Sequence, residues 1–248
     1  NYYHEQSAPD PGHGTVARYA YGRDYHKIIK KKLKQLENFI KEIAPQAATR
    51  PYVDTGPIIE RALAQQAGIG IMGKNSCLIS REFGSWIFIS EIITDLDLSE
   101  AKAPIKTLWQ KMENSSQDFA VCGSCTKCID ACPTGAIIAP GVIDSRLCIS
   151  YLTIENKGDI SPELAKIIKD QKRLYGCDIC QEVCPHNKAR QKPHDHQEFK
   201  EPAIAGSQLS LKKVLALKDD QQFLETFAGS PLMRAKRKGL QRNARVLE

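Results

Sequence analysis

The chain has 248 residues, 42% of them apolar and 26% charged, which suits one large or two ordinary domains of a soluble globular kind. No run approaches the roughly 18 apolar residues of a membrane span, so no membrane-crossing helix is expected. The net charge of +6 points to an anionic partner, and nine cysteines without other marks of a secreted scaffold fit a reducing compartment.

Residues 1 to 26 are polar, aromatic and rich in Gly and Pro (Pro9-Asp10-Pro11-Gly12-His13-Gly14), and they read as a loop. From Tyr25 to Ile43 the apolar positions Ile28, Ile29, Leu33, Leu36, Phe39, Ile40 and Ile43 recur at helical spacing, and Pro45 stops the helix. Arg50 to Val53 reads as a short strand. Gly56-Pro57 then opens a helix to Ala67, with Gly68 beyond its end. The glycine-rich stretch Gly68-Ile-Gly-Ile-Met-Gly-Lys74-Asn75 fits neither a Walker loop nor a dinucleotide fingerprint. Cys77 to Ser80 and Ser85 to Thr94 read as strands whose near-continuous apolar character predicts burial on both faces. The expected class is α+β: an α/β unit over 1–110, a cysteine-rich domain over 111–190 and a polar linker over 191–215. Residues 216–248 would begin a helix-pair repeat. A single repeat cannot bury its own face, so a longer natural chain is expected.

The cysteine runs carry the sharpest chemistry. Cys122-x2-Cys125-x2-Cys128-x3-Cys132-Pro133 has the bacterial ferredoxin spacing for [4Fe–4S] clusters. Cys177-x2-Cys180-x3-Cys184-Pro185 repeats its last three cysteines and its proline. Two cubanes need eight thiolates and the runs supply seven. Of Cys148 and Cys77, only Cys148 lies between the runs, and it is assigned as the eighth ligand. The ferredoxin exchange rule then gives cluster one as Cys122, Cys125, Cys128 and Cys184, and cluster two as Cys132, Cys148, Cys177 and Cys180. Structural zinc also uses Cys-x2-Cys pairs but does not need two Cys-x3-Cys-Pro endings. Disulfides are the other alternative.

Two basic segments stand out. His26 to Lys34 is lysine-rich, and Arg234 to Arg245 holds six Lys/Arg and no acid. They read as a nucleic-acid footprint, against the plainer reading of solvated helix faces.

Tyr52-Val53-Asp54-Thr55-Gly56-Pro57, Glu60-Arg61, Gly68 to Asn75, the two cluster runs and Cys184-Pro185-His186-Asn187 together resemble the epoxyqueuosine reductase family. So does Arg18-Tyr-Ala-Tyr-Gly22-Arg23-Asp24-Tyr25-His26, and Arg234 to Arg245 is similar to the start of that family's HEAT-like repeat. The resemblance implies a cytoplasmic, monomeric enzyme that reduces epoxyqueuosine to queuosine at the tRNA wobble position. Its cofactors would be two [4Fe–4S] clusters and cobalamin, fed by an external electron donor. The first unit becomes a cobalamin-binding domain, Asp54 the proton donor, and Ala17, Arg18, Asp54, Leu78, Ile89 and Ser150 the corrinoid contacts. Ala17 stands where some members carry cysteine, so no thiol contact is implied there. Cys77 is expected to be a buried strand residue.

Asp54 has a second reading, as the N-cap of the helix after Gly56-Pro57. A helix N-terminus favours its carboxylate, whereas burial against a corrin favours the acid. The wobble base must leave its stack to reach a buried cobalt, with affinity supplied by phosphate contacts. Lys157, Arg237, Lys238 and Arg242 are the candidates, the alternative for Lys157 being a surface turn lysine. A corrinoid reductive dehalogenase or a ferredoxin-like electron carrier are the rival functions. The first needs no basic surface; the second leaves the α/β unit without a job.

Overall fold

The computed structural model describes residues 1–98, 119–188, 196–199 and 204–248. Among the described residues the strands are β1 (His13–Val16), β2 (Thr49–Tyr52), β3 (Gly70–Met72), β4 (Leu78–Ser80), β5 (Glu91–Thr94), β6 (Ile137–Ala139), β7 (Val142–Ile143), β8 (Arg173–Tyr175) and β9 (Gln208–Ser210). They form a three-stranded sheet ordered β8-β1-β9 and three two-stranded ribbons, β2–β5, β3–β4 and β6–β7. The class is α+β. The largest sheet is built from three distant parts of the chain: β1 pairs parallel with β8 and antiparallel with β9.

That sheet corrects the expectation for the first 26 residues. They hold the central strand β1 and a 3-10 turn, Arg18–Ala20. Val16 and Ala17 are buried. Gly12 does sit in a turn, but Gly14 serves close packing: a Cβ there would lie 2.6 Å from Leu174 and 2.7 Å from Leu247. The stretch 191–215 also differs from a linker where it is described. β9 pairs with β1, and the helix Leu211–Leu215 buries Leu211 and Val214. Residues 191–195 and 200–203 of that stretch and the 110/111 boundary lie outside the described residues.

The C-terminal helix Lys236–Leu247 lays Leu240 and Ala244 on the core made by Val16, Leu174, Tyr175, Phe223, Phe227 and Leu232. Full burial of one such leucine contributes roughly 1.5–3 kcal/mol. Asn243, also fully buried, donates through Nδ2 to the carbonyls of Thr153 at 2.7 Å and Leu174 at 3.0 Å. This helix therefore ties the cysteine-rich region to the central sheet.

The helix Tyr25–Ile43 has the bounds its periodicity predicts, with Asp24 as N-cap accepting from the His26 N–H. Its Ile29 and Leu33 pack with Val53. The next helix is shorter than expected: it runs Glu60–Gln66, with Ile59 at its N-cap position. Only Glu91–Thr94 of the stretch 85–94 is a strand. It is half-buried to exposed rather than covered on both faces, because its ribbon has β2 as its one strand partner. Cys77 precedes β4 and is half-buried, not a buried strand residue.

Candidate active site and cluster-binding region

Asp54 owes its position to its neighbours. Val53 is buried against Ile29 and Leu33, and the Thr55 N–H closes a tight turn onto the Val53 carbonyl at 2.7 Å. Asp54 takes φ 58°, the left-handed region that Asp and Asn tolerate better than other side chains. The helix begins six residues later, at Glu60, so Asp54 does not cap it. Its carboxylate instead accepts from the Tyr25 hydroxyl at 2.7 Å and lies 3.5 Å from His26 Nε2. His26 Nδ1 is 2.8 Å from Asp24 Oδ1. One imidazole thus stands between two carboxylates.

The charges follow from this geometry. Asp24, and then Asp54, hold the His26 imidazolium up to a pKa of about 9. His26 in turn keeps the Asp54 carboxyl below its ordinary range, and Tyr25 is pushed up by burial and by its hydrogen bond to the Asp54 carboxylate. At Asp54 the pull of His26 outweighs burial, which acts in the opposite sense. At neutral pH His26 and the Tyr25 hydroxyl thus hold their protons beside an ionised Asp54. Sequence reasoning missed this trio. The signal was present in Asp24-Tyr25-His26, whose spacing places a cap and an imidazole on the same first helical turn.

Two cavities meet at Tyr25 and Asp54. One, of about 520 Å³, is lined by Tyr19, His26, Asp54, Tyr175, Glu155 and Arg234, among others. The other, about 190 Å³, brings Asp54 together with Leu78 and Ile89, beside Phe88, Arg61 and Cys77. Three of the expected corrinoid contacts thus line one cavity, where Leu78, Ile87, Phe88 and Ile89 give an apolar side and Asp54, Glu60 and Arg61 a charged one. Ala17, Arg18 and Ser150 line neither cavity. Ala17 packs against Gly176, where a Cβ would approach it to 2.6 Å. Arg18 is buried, its Nη1 3.1 Å from Asp178 and 2.7 Å from Glu182. The Ser150 N–H, with that of Tyr151, points at the Cys148 sulfur.

The thiols of the two expected ligand sets lie close enough to influence one another. Cys184 feels Cys122 and Cys125, and Cys128 feels Cys122 and Cys184 as well as Cys180 across the divide. Cys148 feels Cys180 and Cys132, and Cys177 feels Cys180. Burial is the leading cause that pushes Cys128 up to about 11 and Cys177 up to about 12. Backbone N–H groups counter it, from Ile179 at Cys177 and from His186 and Asn187 at Cys184. Such donors suit sulfurs that carry charge as cluster ligands. Among the described residues no three Cys, His, Asp or Glu side chains close on a single ion.

The glycine-rich loop has a structural role here. Lys74 Nζ donates to the carbonyls of Gly123 at 2.7 Å and Cys125 at 3.0 Å, and Ser76 Oγ to Gly141 at 2.8 Å. It clamps the first cysteine run to the Asp54 side of the molecule.

A third cavity, about 680 Å³, adjoins the first through Ile154, Glu155, Met233 and Arg234, and carries Lys157, Lys236, Lys238, Arg242 and Arg245. Two of the expected phosphate contacts are engaged within the fold. Arg242 donates to the carbonyls of Leu152, Asn156 and Gly158 at 2.6, 2.7 and 2.6 Å. Arg237 pairs with Asp220 at 2.7 Å and reaches Gln241 at 3.2 Å. Lys157 and Lys238 are exposed, as are Lys236 and Arg245.

Comparison with known proteins places these features in a family. The profile of a 4Fe-4S double cluster binding domain matches residues 121–187, and that of epoxyqueuosine reductase QueG, DUF1730, matches residues 1–55. The epoxyqueuosine reductase of Synechocystis sp. is 43% identical over 250 residues, covering 99% of this chain and 80% of the relative. A solved epoxyqueuosine reductase from Bacillus subtilis, with its catalytic aspartate loop swung out of the active site, superimposes with a TM-score of 0.81 at 34% identity, over 99% of this chain and 61% of that one. Another, solved with an epoxyqueuosine-modified tRNA-Tyr stem loop, gives a TM-score of 0.81 at 36% identity, over 99% of this chain and 60% of that one. This chain therefore spans about 60% of the length of the solved proteins. It belongs to the epoxyqueuosine reductase family.

Proposed function

We propose that this chain reduces epoxyqueuosine to queuosine in tRNA, with two [4Fe–4S] clusters and cobalamin, the cofactors known for its family. The observation that carries the reading is the Tyr25–His26–Asp54 trio, set at the seam of two cavities, one of which opens into a basic groove. Opening an epoxide to an alkene consumes two electrons and two protons and releases water. Bound cobalamin supplies a two-electron reductant, which clusters passing one electron at a time cannot be.

The chain's own residues supply the rest. Asp54, Leu78 and Ile89 would hold the corrinoid along the second cavity, with Ala17, Arg18 and Ser150 as supports behind it. His26 and Tyr25 store the protons. Asp54 accepts one and presents it to the departing oxygen, while the other holder keeps the site charged for a second transfer. The left-handed turn at Asp54 suits a loop that repositions, as the loop in the Bacillus subtilis enzyme has done. The ligand sets are Cys122, Cys125, Cys128 and Cys184 for one cluster and Cys132, Cys148, Cys177 and Cys180 for the other. An external donor feeds them. The helices Asp220–Phe227 and Lys236–Leu247 would begin a HEAT-like repeat. No helix of the described residues is long and apolar enough to cross a membrane, and a cytoplasmic, monomeric enzyme completes the reading.

The direct test is incubation of the reconstituted protein with an epoxyqueuosine-bearing anticodon stem loop and a low-potential reductant. The nucleoside should lose one oxygen atom by mass, and only when cobalamin is present. Formation of that product without cobalamin would refute the mechanism.

The groove makes a separate prediction. Its exposed cations should contact phosphates, so neutralising Lys157, Lys236 and Lys238 to Gln should flatten the salt dependence of tRNA binding. The slope should fall by roughly 0.7–0.9 log unit for each phosphate that is no longer neutralised. Arg237→Gln and Arg242→Gln should instead lower the melting temperature, because their guanidinium groups serve Asp220 and three carbonyls. An unchanged slope in the triple lysine variant would reduce the groove to a solvated face.

A further inference from the structure

We propose that Arg173 keeps two unpaired N–H donors for the cluster ligated by Cys132, Cys148, Cys177 and Cys180, and so raises that cluster's reduction potential. This rests on the division of ligands proposed above.

Arg173 opens β8, four residues before Cys177, and is only 9% exposed. Its Nη2 donates to Glu182 Oε2 at 3.2 Å. Its Nε and Nη1 are buried and have no partner in the protein. Buried guanidinium donors are rarely left unmade in native proteins, and each such case asks for a missing acceptor. The anion at hand is the cluster: Arg173 leads through β8 to Cys177, and its bond to Glu182 holds it against the short helix Ile179–Glu182 that carries Cys180.

The surrounding charges sharpen the point. Arg18 and Arg173 face Asp178 and Glu182, with Arg18 bonded to both acids and Arg173 to Glu182. Both guanidinium groups thus spend part of their charge on these acids. What remains is directed: two donor nitrogens held in place by a short strand, since Arg173 pairs in register with Thr15 of β1. Hydrogen bonds to cluster sulfurs stabilise the more negative, reduced state and are a recognised determinant of cluster potential. An electron taken from an external donor would then settle on this cluster in preference to its neighbour. No bond is made or broken in that step; the donor is oxidised and the cluster reduced by one electron.

The test is a potentiometric EPR titration of the whole, anaerobically reconstituted chain against a low-potential chemical reductant. The couple that Cys148→Ser perturbs identifies cluster two. In Arg173→Gln that couple should become about tenfold harder to reduce, a shift of ~59 mV to lower potential for one electron, with the other couple unmoved. Arg173→Lys keeps the charge and loses the planar fork, and should fall between. Full iron content with both couples unmoved would overturn the proposal, as would equal shifts of both. If the Gln variant loses iron, the Lys variant carries the reading; iron loss in both assigns Arg173 to packing and overturns it too. Fewer than about eight iron in the unmodified chain would instead defeat the two-cluster reading itself.

Discussion

Asp54→Asn is expected to fold, bind both clusters and cobalamin, hold tRNA, and turn over at least ~10²-fold more slowly, the lower end of what a positioned proton donor contributes. The fold should not suffer. The Asp54 side chain is 51% exposed, caps no helix, and sits at φ 58°, which Asn tolerates as well as Asp. Asn also keeps an oxygen for the Tyr25 hydroxyl. What it lacks is the capacity to take a proton from His26 and pass it on. The pH profile adds an independent reading. His26 titrates near 9, raised from an ordinary 6.5 by its two carboxylates, so its proton is available below that pH and lost as pH rises through it. Turnover should decline on that alkaline limb, and His26→Gln should abolish or displace it. The same linkage acts on stability: the ion pairs of His26 contribute fully below about 6.5 and fade as pH rises through about 9. Near-normal turnover in Asp54→Asn, with cofactors bound, would remove Asp54 from the proton path.

The parts of this molecule that the sequence disclosed are those whose signal is local. The helix Tyr25–Ile43 repeats its apolar residues at the period of the helix and ends beside Pro45. The cysteine spacings are dictated by cluster chemistry and need no fold to be recognised. What stayed hidden depends on distance along the chain. β1 looks like a loop because its glycine and proline neighbours do, and it becomes a strand only through β8 and β9, some 160 and 195 residues later in the pairings Thr15–Arg173 and His13–Ser210. The same holds for Asp54. Read locally, it precedes Thr55, Gly56 and Pro57 and looks like a cap; its partners Tyr25 and His26 arrive from another helix. Arg237 and Arg242 carry the charge of a phosphate contact, and only the fold shows that their donors are already committed. Local patterning sees composition and period; it cannot see which long-range partner claims a side chain first.

Cys148→Ser should cost the protein one of its two clusters, about half of roughly eight iron atoms, and with it all turnover, whereas Cys77→Ser should keep the full iron content. The two thiols compete for one place, and the structure gives each a claim. Cys148 stands at the start of the helix Ile149–Ile154, where burial pushes its thiol up and the N–H groups of Tyr151 and Ser150 partly counter it. It feels Cys132 and Cys180, the two sulfurs that the exchange rule assigns to its cluster. Cys77 also touches that set: its thiol hydrogen-bonds Cys180, and this contact, with burial, pushes Cys180 upward. Yet Cys77 lines the cavity shared with Asp54, Leu78 and Ile89, and it precedes the strand β4 rather than lying between the two cysteine runs. A thiol there can lie between cluster and cavity without serving as ligand. Serine keeps the size and hydrogen bonding of Cys77, so its substitution should spare the iron and, if the thiol lies on the electron path, alter only the rate. Serine at 148 offers a hard alkoxide donor in place of a soft thiolate, which iron–sulfur clusters bind poorly. Iron and sulfide analysis of the two anaerobically reconstituted variants decides between them. Half the iron missing from Cys77→Ser, with Cys148→Ser intact, would exchange the two assignments and put a cluster ligand directly on the wall of the Asp54 cavity.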